Sequence, residues 1–125
     1  MTDAKIDAKT IADRYIALWN ERDAGKRKQL LSETWLADAT YTDPLAAVRG
    51  ADEINALIGG VQQRFPDFTF ALIGKVDGFG DNVRFSWGLG PKGADAPVKG
   101  TDFARIENGK IRSITGFLDQ VPQAA

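Results

Sequence analysis

A change of hydrophobic period divides this chain. Up to Phe65 the apolar residues recur at helical intervals, and from Phe68 onward they alternate along short segments. Pro66 marks the switch, because its ring biases Phe65 away from helical geometry and lets "FPD" end the last helical pattern. Just ahead of it, residues 52–65 carry Ile54, Leu57, Ile58, Val61 and Phe65 at offsets 0, 3, 4, 7 and 11, with Asp52 and Glu53 near the positive helix start. Gly59 and Gly60 interrupt this helix, and each costs about 1 kcal/mol against alanine, so close packing or a bend is expected there.

Two further helices precede it. Residues 4–22 place Ile11, Tyr15, Leu18 and Trp19 on one stripe of an amphipathic helix. A shorter second helix is expected within residues 23–38, carrying Leu30, Leu31, Trp35 and Leu36, after a break at Asp23, Ala24 and Gly25. Beyond Pro66 the segments "FTFALIGKVD", "NVRFSWGLG", "APVKGTDFARIE" and "GKIRSITGFLDQV" read as strands separated by turns. The "NG" between the last two predicts a hairpin pairing residues 102–106 with 111–117. Helices followed by an antiparallel meander give an α+β class, and one domain over residues 1–125 is expected.

Composition narrows the chemistry by absence. There is no cysteine and no histidine, so disulfides, the usual Cys/His zinc sites, a Ser-His-Asp relay and a cysteine nucleophile are excluded. Without a cofactor, proton chemistry must run on Asp, Glu, Tyr or Lys. Sixteen basic and 17 acidic residues give a net charge of −1 with no long block of one sign, which argues against a nucleic-acid partner. A polar start and the lack of a long apolar run lead us to expect no membrane association and a cytoplasmic location.

Strand parity singles out one carboxylate. Val83, Phe85, Trp87 and Leu89 share a face, with Arg84 and Ser86 opposite; in the next strand Val98, Asp102, Ala104 and Ile106 share a face, with Lys99, Thr101, Phe103 and Arg105 opposite. Asp102 thus stands among apolar neighbours, where loss of water raises its pKa towards the protonated, hydrogen-bond-donating form. The alternatives are that it accepts from a buried hydroxyl or amide, or that a bulge turns it to solvent. Tyr15 is either core with its hydroxyl at the edge or a working group. Asp43, in "ATYTDPLA", is either a turn former ahead of Pro44 or a base.

Taken together, "RYIALWNERD", "DATYTDPLAAVRG", "FPD" and "GTDFARIENGKI" leading into "GFLD" resemble the ketosteroid isomerases and the wider SnoaL-like, nuclear transport factor 2-like superfamily. The resemblance implies three helices on a curved antiparallel sheet around a cone-shaped cavity, and cofactor-independent isomerase or cyclase chemistry with no metal. Residue by residue, Tyr15 matches the oxyanion-hole tyrosine, Asp102 the protonated aspartic acid and Asp43 the general base, a pattern of tuned carboxyls known from ketosteroid isomerase. Asp119 in "GFLDQ" resembles the acid/base aspartate of SnoaL-like cyclases. Trp19, Trp35, Phe65, Phe85, Trp87 and Phe117 would line the pocket, with Phe68 and Phe70 on one face of their strand and Arg49 at its mouth.

Other members imply other outcomes. Limonene epoxide hydrolases use an Asp-Arg-Asp set of which Arg84 and Asp119 could supply two, but Ser86 stands where the third is expected and parity turns Arg84 off the apolar face. A non-catalytic domain that binds a small hydrophobic ligand, or serves as a dimeric interaction module, is the main alternative to an enzyme. The resemblance implies a homodimer formed through the outer sheet face, where Phe103 would contribute.

Overall fold

The computed structural model describes residues 7–122. Three helices, α1 (Ala8–Asn20), α2 (Ala24–Thr34) and α3 (Ala51–Arg64), combine with six strands: β1 (Trp35–Asp43), β2 (Ala46–Arg49), β3 (Phe68–Phe79), β4 (Asn82–Pro91), β5 (Val98–Glu107) and β6 (Lys110–Gln120). The strands form one curved sheet in the order β2-β1-β6-β5-β4-β3, with the helices on its concave side. Register shifts interrupt β1, β3, β5 and β6, and such bulges bend strands enough to curve a sheet around a helix layer.

Two features depart from the expectation. The sheet is mixed rather than antiparallel, because β1 runs parallel to β6, with Tyr41 beside Ile114 and Thr42 beside Thr115. Nothing local signals this pairing, since the two strands are joined only through α3 and the intervening meander. Trp35 to Asp38 were expected in the second helix but open β1. Leu30, Leu31, Trp35 and Leu36 keep a helical spacing, yet Thr34 ends the helix with its hydroxyl on the Leu30 carbonyl, and Trp35 pairs with Ile111 instead. At the other end of α2 the break is shorter than expected: Asp23 is the N-cap, accepting from Lys26 N at 2.9 Å, and Ala24 and Gly25 are helical. Residues 4–6 of the expected first helix lie outside the described residues.

The remaining elements follow the sequence pattern. Residues Ile11, Tyr15, Leu18 and Trp19 form the buried stripe of α1, and Val83, Phe85, Trp87 and Leu89 the buried face of β4. Asn108 and Gly109 both take positive φ, the geometry a two-residue hairpin turn demands, and close β5 onto β6. Asn20 pairs both of its amide atoms with the backbone of Phe70, at 2.8 and 2.9 Å, which ties the end of α1 to the edge strand β3.

A buried arginine joins the helices. Arg27 is 5% exposed and donates to Asn55 Oδ1, the Glu21 carbonyl and Gln62 Oε1 at 2.6 to 2.9 Å, while Gln62 donates to the carbonyls of Trp19 and Glu21. Gly59 makes room for it, since a Cβ there would lie 3.1 Å from Arg27 Nη2; Gly60 faces open space. The network fixes α3 against the C-terminal end of α1, and so fixes two walls of the pocket described below. Among the described residues no helix is long and apolar enough to cross a membrane.

Candidate active site

Tyr15 and Asp102 meet beneath the helices. The α1 stripe aims Tyr15 at the sheet, the alternation of β5 turns Asp102 inward, and the tyrosine hydroxyl donates to Asp102 Oδ2 at 2.5 Å. Both residues are buried, at 3% and 1% exposure. Burial pushes the Asp102 carboxyl up to about 6, although the Tyr15 hydrogen bond pulls it down. Burial and the Asp102 charge hold the Tyr15 hydroxyl well above the ordinary range.

A second pair stands beside the first. Tyr41 Oη donates to Asp43 Oδ2 at 2.6 Å, and Asp43 Oδ1 accepts from the backbone N–H of Leu45 and Ala46 at 2.8 and 2.9 Å. Asp43 is therefore a turn former and a pocket residue at once: one oxygen holds the turn and the other faces the pocket through Tyr41. Burial, followed by the charges and hydrogen bonds of the two aspartates, raises the Tyr41 hydroxyl far above its usual value. Gly116 separates the aspartates, for a Cβ there would lie 2.7 Å from Asp102 Oδ1 and 3.4 Å from Asp43 Cβ.

The indole N–H groups of Trp19 and Trp87 are buried without a partner. Trp19 stands close to the Tyr15 hydroxyl and Trp87 close to the Asp102 carboxylate, yet neither reaches hydrogen-bond geometry. A buried donor left unsatisfied costs about 1–3 kcal/mol, so an acceptor that reached either indole N–H would recover that cost.

Tyr15, Trp19, Tyr41, Asp43, Phe65 and Trp87 line an apolar pocket of about 180 Å³, whereas Asp102 is not in the lining and meets the pocket through the Tyr15 hydroxyl. Leu89, Val98 and Leu118 form its sheet wall, and Val61 and Arg64 its α3 wall. A larger polar depression of about 940 Å³ lies at the other end of β4 and β5, around Asp81 and Arg105. It contains none of Tyr15, Tyr41, Asp43 and Asp102, and its Arg112 is engaged in ion pairs with Asp38 and Glu107. Among the described residues no cluster of acidic side chains could hold a metal ion.

Several expected site residues lie elsewhere. Trp35 and Phe85 are core rather than lining: Trp35 stacks on Tyr15 with centroids 6.1 Å apart, and Phe85 meets its edge at 4.9 Å. Phe117 is 59% exposed and sits on the outer sheet face, because Ile114, Gly116 and Leu118 take the inward positions of β6. Asp119 shares that outer face, accepting from Thr101 Oγ1 at 2.7 Å in a chain that continues to Ser86. Arg84 also lies outside, near Asp77. The structure thus separates Asp119 and Arg84 from the pocket, and with them both the cyclase-type aspartate and the epoxide-hydrolase set.

Arg49 is exposed and takes no part in the lining, whereas Arg64, which the sequence reading passed over, does. Tyr41 was also missed. Its signal was available, since a residue two positions before Asp43 on a strand shares its side.

The architecture is that of the nuclear transport factor 2-like α+β fold. Residues 12–114 match the model of the SnoaL-like domain, and the chain belongs to that family. It is 39% identical to a proposed isomerase of the SnoaL-like family from Agrobacterium tumefaciens, over 90% of this chain and 97% of that one, with a TM-score of 0.85. Two more distant structures share the fold. A proposed ketosteroid isomerase from Kribbella flavida is 16% identical, with a TM-score of 0.68 over 94% of this chain and 82% of that one. A proposed SnoaL-like polyketide cyclase from Jannaschia sp. is 17% identical, with a TM-score of 0.69 over 95% and 92%. No curated protein matches the chain.

Proposed function

We propose that this chain is a cofactor-independent enzyme that moves a proton on a hydrophobic carbonyl compound, as an isomerase or cyclase of the ketosteroid isomerase and SnoaL type. The observation that carries the reading is the buried Tyr15–Asp102 pair at 2.5 Å, whose tyrosine lines a mostly apolar pocket together with Asp43. The names of the similar proteins, an isomerase and a polyketide cyclase among them, agree with it.

In this reading Asp43 takes a proton from the carbon next to the carbonyl, and the electron pair moves onto the carbonyl oxygen. Tyr15 donates to that oxygen as it becomes an enolate. Asp102, with its pKa raised to about 6, takes a proton from solvent and donates it to Tyr15 Oη, which frees the single tyrosine proton for that oxygen. Asp43 then returns its proton to the same or another carbon, so the substrate is isomerised with no net change of oxidation state. Tyr41 holds the Asp43 carboxylate in place through its 2.6 Å hydrogen bond.

A phenol that mimics the enolate tests the oxyanion pair. Its affinity should fall in both Tyr15→Phe and Asp102→Ala; unchanged affinity in both variants refutes the pair as an oxyanion site.

One observation favours a second reading, ligand binding without turnover: Asp43 already accepts three hydrogen bonds, from Tyr41, Leu45 and Ala46, which engage both of its oxygens. For either reading we propose a homodimer joined through the outer sheet face, where Phe117 is 59% exposed beside the β5 strand that carries Phe103.

A further inference from the structure

The size of the pocket and its one cation narrow the ligand further, and this step rests on the reading of the pocket given above. The volume of about 180 Å³ is about six times the share of one water molecule in the liquid, roughly 30 Å³. It falls below the range of roughly 300 Å³ and upward found for drug-sized ligands. A four-ring nucleus does not fit such a space; one ring or two small ones do.

Arg64 is the one basic side chain in the lining among the described residues. It is exposed, and there it forms neither a salt bridge nor a side-chain hydrogen bond with any described residue. Its place in the last turn of α3 suits the helix dipole, and its stem can cover apolar surface beside Phe65. Neither role uses the guanidinium fork, whose five donors match a carboxylate in bidentate geometry. Besides Tyr41 and Asp43, the lining therefore offers two polar groups, the buried Tyr15 hydroxyl with Asp102 bonded to it and the exposed Arg64 guanidinium, with apolar walls contributed by Val61, Phe65 and Leu118.

We propose that the ligand is a small one- or two-ring carbonyl compound that also bears a carboxylate, with the carbonyl oxygen at the Tyr15 hydroxyl, which Asp102 backs, and the carboxylate on Arg64. Asp43, the other charged group of the lining, is already engaged by Tyr41 and by its own turn.

The test compares 4-hydroxyphenylacetate with its neutral isostere 4-hydroxyphenylacetamide by calorimetry on the full chain, on Arg64→Gln and on Tyr15→Phe. The acid should bind the unaltered protein about tenfold tighter than the amide, the size of one charge-assisted contact, and added salt should shrink the difference. Arg64→Gln should bring the acid down to the amide and leave the amide unchanged. Tyr15→Phe should weaken both probes while keeping their ratio.

Equal affinity of acid and amide in the unaltered protein, or a preference that survives Arg64→Gln, overturns the carboxylate while the Tyr15 sensitivity still stands. Probes that bind Tyr15→Phe as tightly as the unaltered protein overturn the underlying site instead. Failure of both probes to bind at all overturns both.

Discussion

Replacing Asp102 by Asn should remove a pH dependence of stability that the unaltered protein carries. The Asp102 pKa rises from an ordinary 3.8 to about 6 on folding. Between those values the folded chain binds more protons than the unfolded one, so stability falls as pH rises through this window and levels off above it. The shift of about two pKa units, at 1.36 kcal/mol per unit, amounts to about 3 kcal/mol. Asn keeps the size of the side chain and an oxygen for the Tyr15 hydroxyl, but does not titrate. Urea unfolding followed by tryptophan fluorescence, from pH 3.5 to 7.5, reads the difference. Whatever constant offset the amide introduces, the variant should gain about 3 kcal/mol on the unaltered protein across that range. Parallel pH profiles for the two proteins would refute the claim that burial of Asp102 as an ion is costly.

Two further substitutions probe the scaffold of the site. Gly116→Ala drives a Cβ against Asp102 Oδ1 and should cost about 1–3 kcal/mol while weakening phenol binding, whereas Gly60→Ala, with open space around it, should stabilise by up to about 1 kcal/mol; thermal melts of the two variants check both signs. Arg27→Met leaves the acceptors on Asn55 and Gln62 unserved and the Glu21 carbonyl with Gln62 alone, and should destabilise by at least about 2 kcal/mol in urea unfolding, at every pH between 5 and 8.

The parts of the fold legible in the sequence were those set by local period. The spacing of Ile54, Ile58 and Val61 gave α3 nearly to the residue, and alternation alone placed Asp102 inside β5. The same alternation, carried one strand further through Ile114, Gly116 and Leu118, sends Phe117 and Asp119 outward, against what the family resemblance implied. Depth was not legible, because period assigns a face and not a layer. Phe85 and Trp87 share a face of β4, yet Phe85 is packed under Tyr15 while Trp87 borders the pocket. The parallel pairing of β1 with β6 was hidden for a different reason. It joins segments more than 70 residues apart, Tyr41 with Ile114 for example, and neither carries a mark of its partner's direction.

The central claim is that Asp43 moves a proton on a carbonyl compound held by Tyr15 and Asp102. Its most direct test is deuterium incorporation next to the carbonyl, followed by proton NMR in D2O for small ketones and keto acids that displace the phenol from the pocket. The account predicts protein-dependent exchange for at least one of them, lost in Asp43→Asn while phenol affinity is retained. Exchange no faster than in buffer for every ligand that enters the pocket, or exchange undiminished in Asp43→Asn, would contradict it.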